Sequence, residues 1–350
     1  MNVERKRRLA DLLRGSGALA ASRALRVAGL GRPALTILGY HRVAVDPAPF
    51  SPLAVDPIAF EAQIAWFSRR FDLWPLGRVA DWLEGRVTLR RDTLVITFDD
   101  GYADNLTLAV PVLERHRAPA TFFVSTGPTC RGTQFWWDEL RHGLRRVAAG
   151  AGSRPGADAA IAAAPKALRP LVLDYLRAAT APGYAQPSRA DAARALVRAA
   201  RAWPQEALAD WFAVLHVEPG DRDADAERLG PESLKEIARR GFELGAHGVT
   251  HAALSRIDPG TLAAEVQGSI DDLRALGIEP TAFAYPYGDA GEKGGAVERA
   301  VRDAGVQLAV TTEERTLRRG DARLRLPRKV VPSQSLSVLA TRLERLAWSG

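Results

Sequence analysis

Leu94-Val95-Ile96-Thr97-Phe98-Asp99-Asp100-Gly101 decides how this chain is read. Its first five residues are apolar or β-branched and uncharged, the pattern of a strand buried on both faces. The run stops at two adjacent carboxylates and a glycine. A second stretch is built alike, with residues 242–246 leading into His247-Gly248-Val249-Thr250-His251. In parallel α/β folds the chemistry lies at the C-terminal ends of the strands, and both polar clusters stand at such ends. Two neighbouring carboxylates in an apolar mouth resist joint ionisation unless a cation is near. Two aspartates and two histidines supply three ligands for a divalent metal and leave one carboxylate over, which can take a proton from an attacking water. Alone, Asp-Asp-Gly reads as a turn and the His pair as a helix cap or packed core residues. Both sets in one chain, each after a strand, point to a metal-dependent hydrolase.

Working outward, residues 34–40 (ALTILGY) read as a first strand ending at His41-Arg42. Asp56-Pro57 opens a helix, with Asp as cap and Pro at the first helical position, and Phe60, Ile64 and Phe67 follow at helical spacing. Residues 120–124 (ATFFV), 281–285 and 306–311 supply further strands, and 262–276 a helix. Strands alternating with helices predict a parallel sheet, either open and doubly wound or closed as a barrel. The rhythm breaks between about residues 131 and 230, a stretch rich in Ala and Arg with helical patterns at 188–202 and 204–215 and no strand. It reads as a helical insertion in one catalytic domain spanning 34–332. Residues 333–350 read as a closing amphipathic helix.

The 350 residues, 47% hydrophobic and 25% charged, have the composition of an ordinary globular protein. Cys130 is the only cysteine, so no intrachain disulfide can form. No apolar stretch approaches the ~20 residues needed to cross a bilayer. Residues 1–33 hold eight basic residues against Glu4 and Asp11, and therefore six of the seven net positive charges. Arg14, Arg23 and Arg26 interrupt the apolar region that a cleavable signal would need, so a cytoplasmic location is expected. Leu9, Leu12, Leu13 and Leu19 among these arginines fit a basic amphipathic helix on an anionic membrane, or a solvated or core-docked first helix. Nucleic-acid binding is not expected, because the basic segment lacks interleaved aromatics and no known module is present.

Thr97–Gly101 and His247–His251 resemble the T-F-D-D-G and H-x-x-x-H motifs of the polysaccharide deacetylases, whose catalytic unit is the NodB-homology domain of carbohydrate esterase family 4. Ala284-Tyr285-Pro286-Tyr287-Gly288 looks like a variant of that family's R-x-P-Y motif. Tyr40-His41-Arg42-Val43 resembles the first-strand signature of a branch that includes exopolysaccharide deacetylases. The resemblance covers residues 34–130 and 231–332. It implies an α/β fold, a deformed (β/α) barrel of about seven parallel strands, and hydrolysis of N-acetyl groups on a glycan. It further implies Asp99 as general base, Asp100, His247 and His251 as metal ligands, and a backbone N–H near Tyr287 holding the oxyanion. His₂Asp ligation suits Zn²⁺ and also accepts Fe²⁺, Co²⁺ or Ni²⁺.

Two departures stand out. Ala284 occupies the place of the motif arginine, and Arg328 on the last strand is the candidate replacement. No histidine follows His251 where the family places its general acid, and His41 is the candidate proton donor, with ordering of a loop as the other reading. His116, His142 and His216 fall on predicted helices as surface or packing residues. Trp136 and Trp137, which open the insertion, either form a wall for sugar rings or anchor the insertion, and Tyr285 is a candidate substrate contact. Asp104 and Asn105 either tune the site or start the next helix. Two alternatives keep the fold but change the role: hydrolysis of a non-sugar amide, or a catalytically weakened glycan-binding member.

Overall fold

The computed structural model describes residues 33–44, 53–150, 155–180, 186–201, 203, 205–215 and 227–349. The expected basic helix at the N-terminus and His216 lie outside the described residues. Its strands are β1 (Leu35–Tyr40), β2 (Arg42–Val43), β3 (Ala54–Val55), β4 (Asp72–Leu73), β5 (Thr93–Phe98) and β6 (Ala120–Val124), then β7 (Glu243–Ala246), β8 (Ala282–Ala284), β9 (Leu308–Val310) and β10 (Lys329–Val330). Seven of them form one parallel sheet in the order β10-β1-β5-β6-β7-β8-β9, with the short β4 also pairing on β5. Leu326, just ahead of β10, bridges to Val310 of β9, while Lys329 and Val330 pair with Leu38 and Gly39 of β1. One segment thus joins the first and last strands, and the sheet closes as a deformed (β/α) barrel.

Every residue of β1, β5 and β6 is buried. Alternate side chains sort to opposite faces, as the period of two requires. Leu35, Ile37, Val95, Phe123, Ala284 and Val310 share one cluster, and Leu38, Tyr40, Ile96, Phe98 and Phe122 belong to another. The first cluster is completed by Trp74, Leu76, Val79 and Trp82, the last two on helix α2 (Arg78–Leu83). The second packs against Phe60, Ile64 and Phe67 of α1 (Pro57–Arg70), whose cap Asp56 accepts the N–H of Ile58 and Ala59 at 2.9 and 3.1 Å. Loss of such a cap costs about 1 kcal/mol. Helices α3 (Val110–Arg115) and α4 (Thr126–Cys130) follow β5 and β6.

A second unit lies within Thr133–Glu227. It consists of α5 (Trp136–Ala148), α6 (Pro155–Ala163), α7 (Arg169–Thr180), α8 (Gln186–Ala200) and α9 (Gln205–Val214). Leu140, Leu144, Val172, Leu196 and Trp211 make its core, and the Trp211 indole N–H donates to the Ala160 carbonyl at 2.9 Å. The chain then returns through α10 (Pro231–Arg239) to β7, and α11 (Pro259–Ala275) links β7 to β8. Helix α12 (Ala296–Asp303) precedes β9, and α13 (Leu336–Ser349) ends the described chain. Among the described residues no helix is long and apolar enough to cross a membrane.

Candidate active site

Strand register gathers the polar residues. Tyr40 pairs with Phe98, so His41 and Asp99 leave β1 and β5 side by side, with the Asp99 N–H on the Tyr40 carbonyl at 2.9 Å. Val124 pairs with Ala246, and the His247 N–H meets the Val124 carbonyl at 3.0 Å. Asp100, His247 and His251 then converge, each buried, with one donor atom from each lying within 4.8 Å of the others. Asp100 Oδ1 stands 3.7 Å from His247 Nε2 and 3.6 Å from His251 Nε2. Atoms bound tetrahedrally to one ion at about 2.0–2.2 Å stand roughly 3.3–3.6 Å apart, close to this spacing.

The details fit a cation. His247 Nδ1 lies 2.6 Å from the Ala284 carbonyl, which can only accept, so Nδ1 carries the proton and Nε2 presents its lone pair to Asp100. Asp100 Oδ1 is buried with no hydrogen-bond partner. Burial, together with the charge of Asp99, pushes the Asp100 carboxyl up to about 7, against the pull of Arg228, Arg328 and Arg42. A buried carboxylate oxygen facing two imidazole nitrogens is costly unless a cation sits among them. Burial also lowers the pKa of His247 and His251, which keeps both imidazoles neutral and able to ligate.

Asp99 has a different environment. Arg328 donates from Nη1 and Nη2 to its two oxygens at 2.6 Å each, and Nη1 also reaches Thr97 Oγ1 at 3.0 Å. Burial would raise this carboxyl, but the Arg328 charge, with His247 and His41, overrides it and holds Asp99 well below the usual carboxylate range. Arg328 is fully buried, and its guanidinium crosses β1 at Gly39, where a Cβ would meet Nε at 3.1 Å and Cζ at 3.2 Å. His41 Nε2 stands 3.8 Å from Asp99 Oδ2. Burial, with the charge of Arg328, lowers the His41 pKa to about 4 despite Asp99, so its imidazole is neutral at neutral pH.

Backbone strain concentrates here. Of the four non-glycine residues with positive φ among those described, three are Asp100 (φ 76°), His251 (φ 63°) and Tyr287 (φ 60°). Such conformations cost on the order of 1–3 kcal/mol each and persist where the surroundings over-determine them. The Tyr287 ring packs edge-on against His251, centroids 4.5 Å apart, which sets the segment expected to hold the oxyanion beside a candidate metal ligand.

Other expected residues are placed differently. Tyr285 is fully buried and its hydroxyl donates to the Leu324 carbonyl at 2.8 Å, so its side chain packs the barrel wall and offers nothing to a substrate. Trp136 lies in the core of the helical unit, because its indole is covered by that unit's own leucines, whereas Trp137 is half-buried and stacks on Phe135 at 4.3 Å. His116 pairs with Glu61 at 3.1 Å, and His142 is half-buried on α5. Asp104 and Asn105 do more than open a helix. Asp104 accepts from Arg42 Nε at 2.8 Å, and Asn105 Nδ2 donates to the His41 carbonyl at 2.9 Å, tying the end of β1 to the Asp99-Asp100 turn. Sequence reasoning missed Glu265 of α11, whose carboxylate accepts from the loop between His247 and His251. Its position on a helix with ordinary amphipathic spacing gave no signal.

Comparison with known proteins agrees with this site. The polysaccharide deacetylase family model matches residues 86–148 and 199–309, which contain the Asp pair, the His pair and the Tyr287 segment. Among curated proteins none matches the sequence significantly. The fold resembles a Streptococcus pyogenes deacetylase, PplD, solved in complex with acetate, with TM-score 0.56 and 18% identity over 89% of this chain and 99% of that one. IcaB from Ammonifex degensii gives 0.55 and 18%, covering 91% of this chain and 98% of its own. A de-N-acetylase from Aggregatibacter actinomycetemcomitans gives 0.50 and 13%, covering 88% and 99%. At these identities the structures speak for the fold, and the family model speaks for the lineage. The chain belongs to the polysaccharide deacetylases, hydrolases of carbon–nitrogen bonds other than peptide bonds.

Proposed function

We propose that this protein is a divalent-metal-dependent deacetylase that hydrolyses N-acetyl groups of a glycan, releasing acetate and leaving a free amine. The observation that carries the reading is the convergence of Asp100, His247 and His251 beside an Asp99 gripped by Arg328. Asp100, His247 and His251 would hold the cation, Zn²⁺ by preference, with Fe²⁺, Co²⁺ or Ni²⁺ as other occupants of such a donor set. When bound, the cation supplies a Lewis acid for the acetamide carbonyl and for the attacking water. The acetate in the PplD structure and the de-N-acetylase among the fold neighbours support an N-acetyl substrate.

The protein's own residues account for the protons. Asp99, kept ionised and fixed in direction by Arg328, takes the proton as the water oxygen bonds to the carbonyl carbon. The oxyanion that forms lies toward the backbone at Tyr287, where an N–H can stabilise it. Because Arg328 makes Asp99 a weak base, the proton does not stay there. His41, 3.8 Å away and neutral at rest, receives it and passes it to the nitrogen as the carbon–nitrogen bond breaks.

Chelator-stripped protein reconstituted with one equivalent of Zn²⁺ and given N-acetylglucosamine oligomers provides the test. Acetate release restored by metal supports the reading. Release only from small non-sugar amides would redirect it to another substrate. Oligomer binding without release at any metal loading would make the protein a binding module.

A further inference from the structure

We infer that Glu265 is a positioning residue for the metal centre, setting the affinity and geometry of His247 and His251 without touching the ion or the substrate; the inference rests on the metal reading above. Glu265 lies on α11, is buried to 5% exposure, and faces the three residues between the two histidines. Its Oε2 accepts the N–H of Val249 and of Thr250, each at 3.0 Å, and its Oε1 accepts the Thr250 hydroxyl at 2.7 Å. Two successive backbone N–H groups turned toward one carboxylate make a small anion-binding concavity, here filled by the protein's own acid.

The loop has to be forced into its shape. Gly248 has φ 75° and His251 φ 63°, and a Cβ at Gly248 would come within 3.0 Å of Glu265 Oε2. From the other side, the first turn of α4 donates the N–H of Thr126 and Gly127 to the carbonyls of Gly248 and Val249, at 3.1 and 2.8 Å. The loop's donors go to Glu265 and its acceptors to α4. Clamped on both sides, it holds His251 in a left-handed backbone and aims both imidazoles at Asp100. Residues that orient metal ligands in this way typically change affinity about 10–100-fold when replaced.

Glu265→Gln separates this role from plain structural support. The amide keeps one acceptor oxygen for the two N–H groups, but its NH₂ replaces the oxygen that accepts the Thr250 hydroxyl, so that hydroxyl must reverse its role and the second acceptor is lost. Co²⁺ titration of the chelator-stripped full chain reads both the dissociation constant and the d–d spectrum, with far-UV circular dichroism as the folding control. The expected result is binding weakened about 10–100-fold, with a changed Co²⁺ spectrum and an unchanged fold. If Glu265→Gln does not fold, Thr250→Val and Thr250→Ser decide. Val, which lacks the hydroxyl, should weaken Co²⁺ binding several-fold, and Ser, which keeps it, should restore wild-type binding. A Co²⁺ constant and spectrum identical to wild type in folded Glu265→Gln, or in Thr250→Val, would overturn the inference alone. No Co²⁺ uptake by wild-type protein would overturn the metal reading and this inference with it.

Discussion

Arg328 reaches Asp99 across β1, donating two hydrogen bonds of 2.6 Å from a side chain that is fully buried. Arg328 thus pairs with Asp99 although Ala284 fills the arginine's place in the third motif, and it does so from the residue just before β10 rather than from the last of β8. Removing one partner of such a pair strands the other charge in a dry interior. Arg328→Ala is expected to destabilise the fold by roughly 3–5 kcal/mol, read as a lowered midpoint in chemical denaturation at neutral pH. A change under 1 kcal/mol would mean that Asp99 is not ionised in the native protein.

Gly39 gives a more selective probe of the same pair. A Cβ there would crowd Arg328 at 3.1–3.3 Å, while Asp100 and the histidines lie on other elements. Gly39→Ala should lower kcat by about 10²-fold, a typical loss for a disturbed acid–base group, with Zn²⁺ affinity within about twofold of wild type. Equal losses in both quantities would show that the Arg328 clamp and the metal ligands are one unit.

Metal affinity should depend on pH through a single proton. Burial lowers the pKa values of His247 and His251, whereas Asp100, raised to about 7, still binds a proton below that value. Binding must then displace the Asp100 proton, so the Zn²⁺ dissociation constant should rise about fivefold as pH falls from 7 to 6, approach tenfold per unit below about 6, and flatten above about 8. Competition with a chromophoric chelator across this range measures it. A flat profile would mean that Asp100 is ionised without a cation.

His41→Ala tests the proton path. Loss of the relay should cut turnover by about 10²–10⁴-fold with unchanged metal content, and the deficit should shrink for substrates with better leaving groups, which need no proton. Unchanged turnover would reduce His41 to a residue that Asn105 merely holds in place through its carbonyl.

The barrel was legible because its strands are sealed on both faces. Runs such as residues 94–98 and 120–124 carry no polar interruption, and the polar residues that follow them mark the strand ends. The same logic pointed to Asp99, Asp100, His247 and His251, the last three of which converge in the structure, and position near the last strand pointed to Arg328, which pairs with Asp99. What escaped has a common cause. Tyr285 sits in a motif yet turns inward, since β8 places alternate residues on opposite faces and only the backbone geometry says which. Glu265 is distant in sequence and acts through backbone N–H groups, which no residue pattern displays. The two-residue strands β2, β3 and β4 are too short to show a period. Trp136 belongs to the helical unit's core because neighbouring helices cover it, a tertiary fact that its FWW context does not contain.

The proposed reaction turns on Asp99 taking the water's proton beside a cation held by Asp100, His247 and His251. Acetate release from N-acetylglucosamine oligomers, measured for Zn²⁺-loaded wild type and Asp99→Asn at matched metal content, tests it most directly. Release by wild type and at least about 10³-fold slower release by the variant are expected, since the amide keeps the shape but cannot accept the proton. Wild-type rates from metal-replete Asp99→Asn would contradict it.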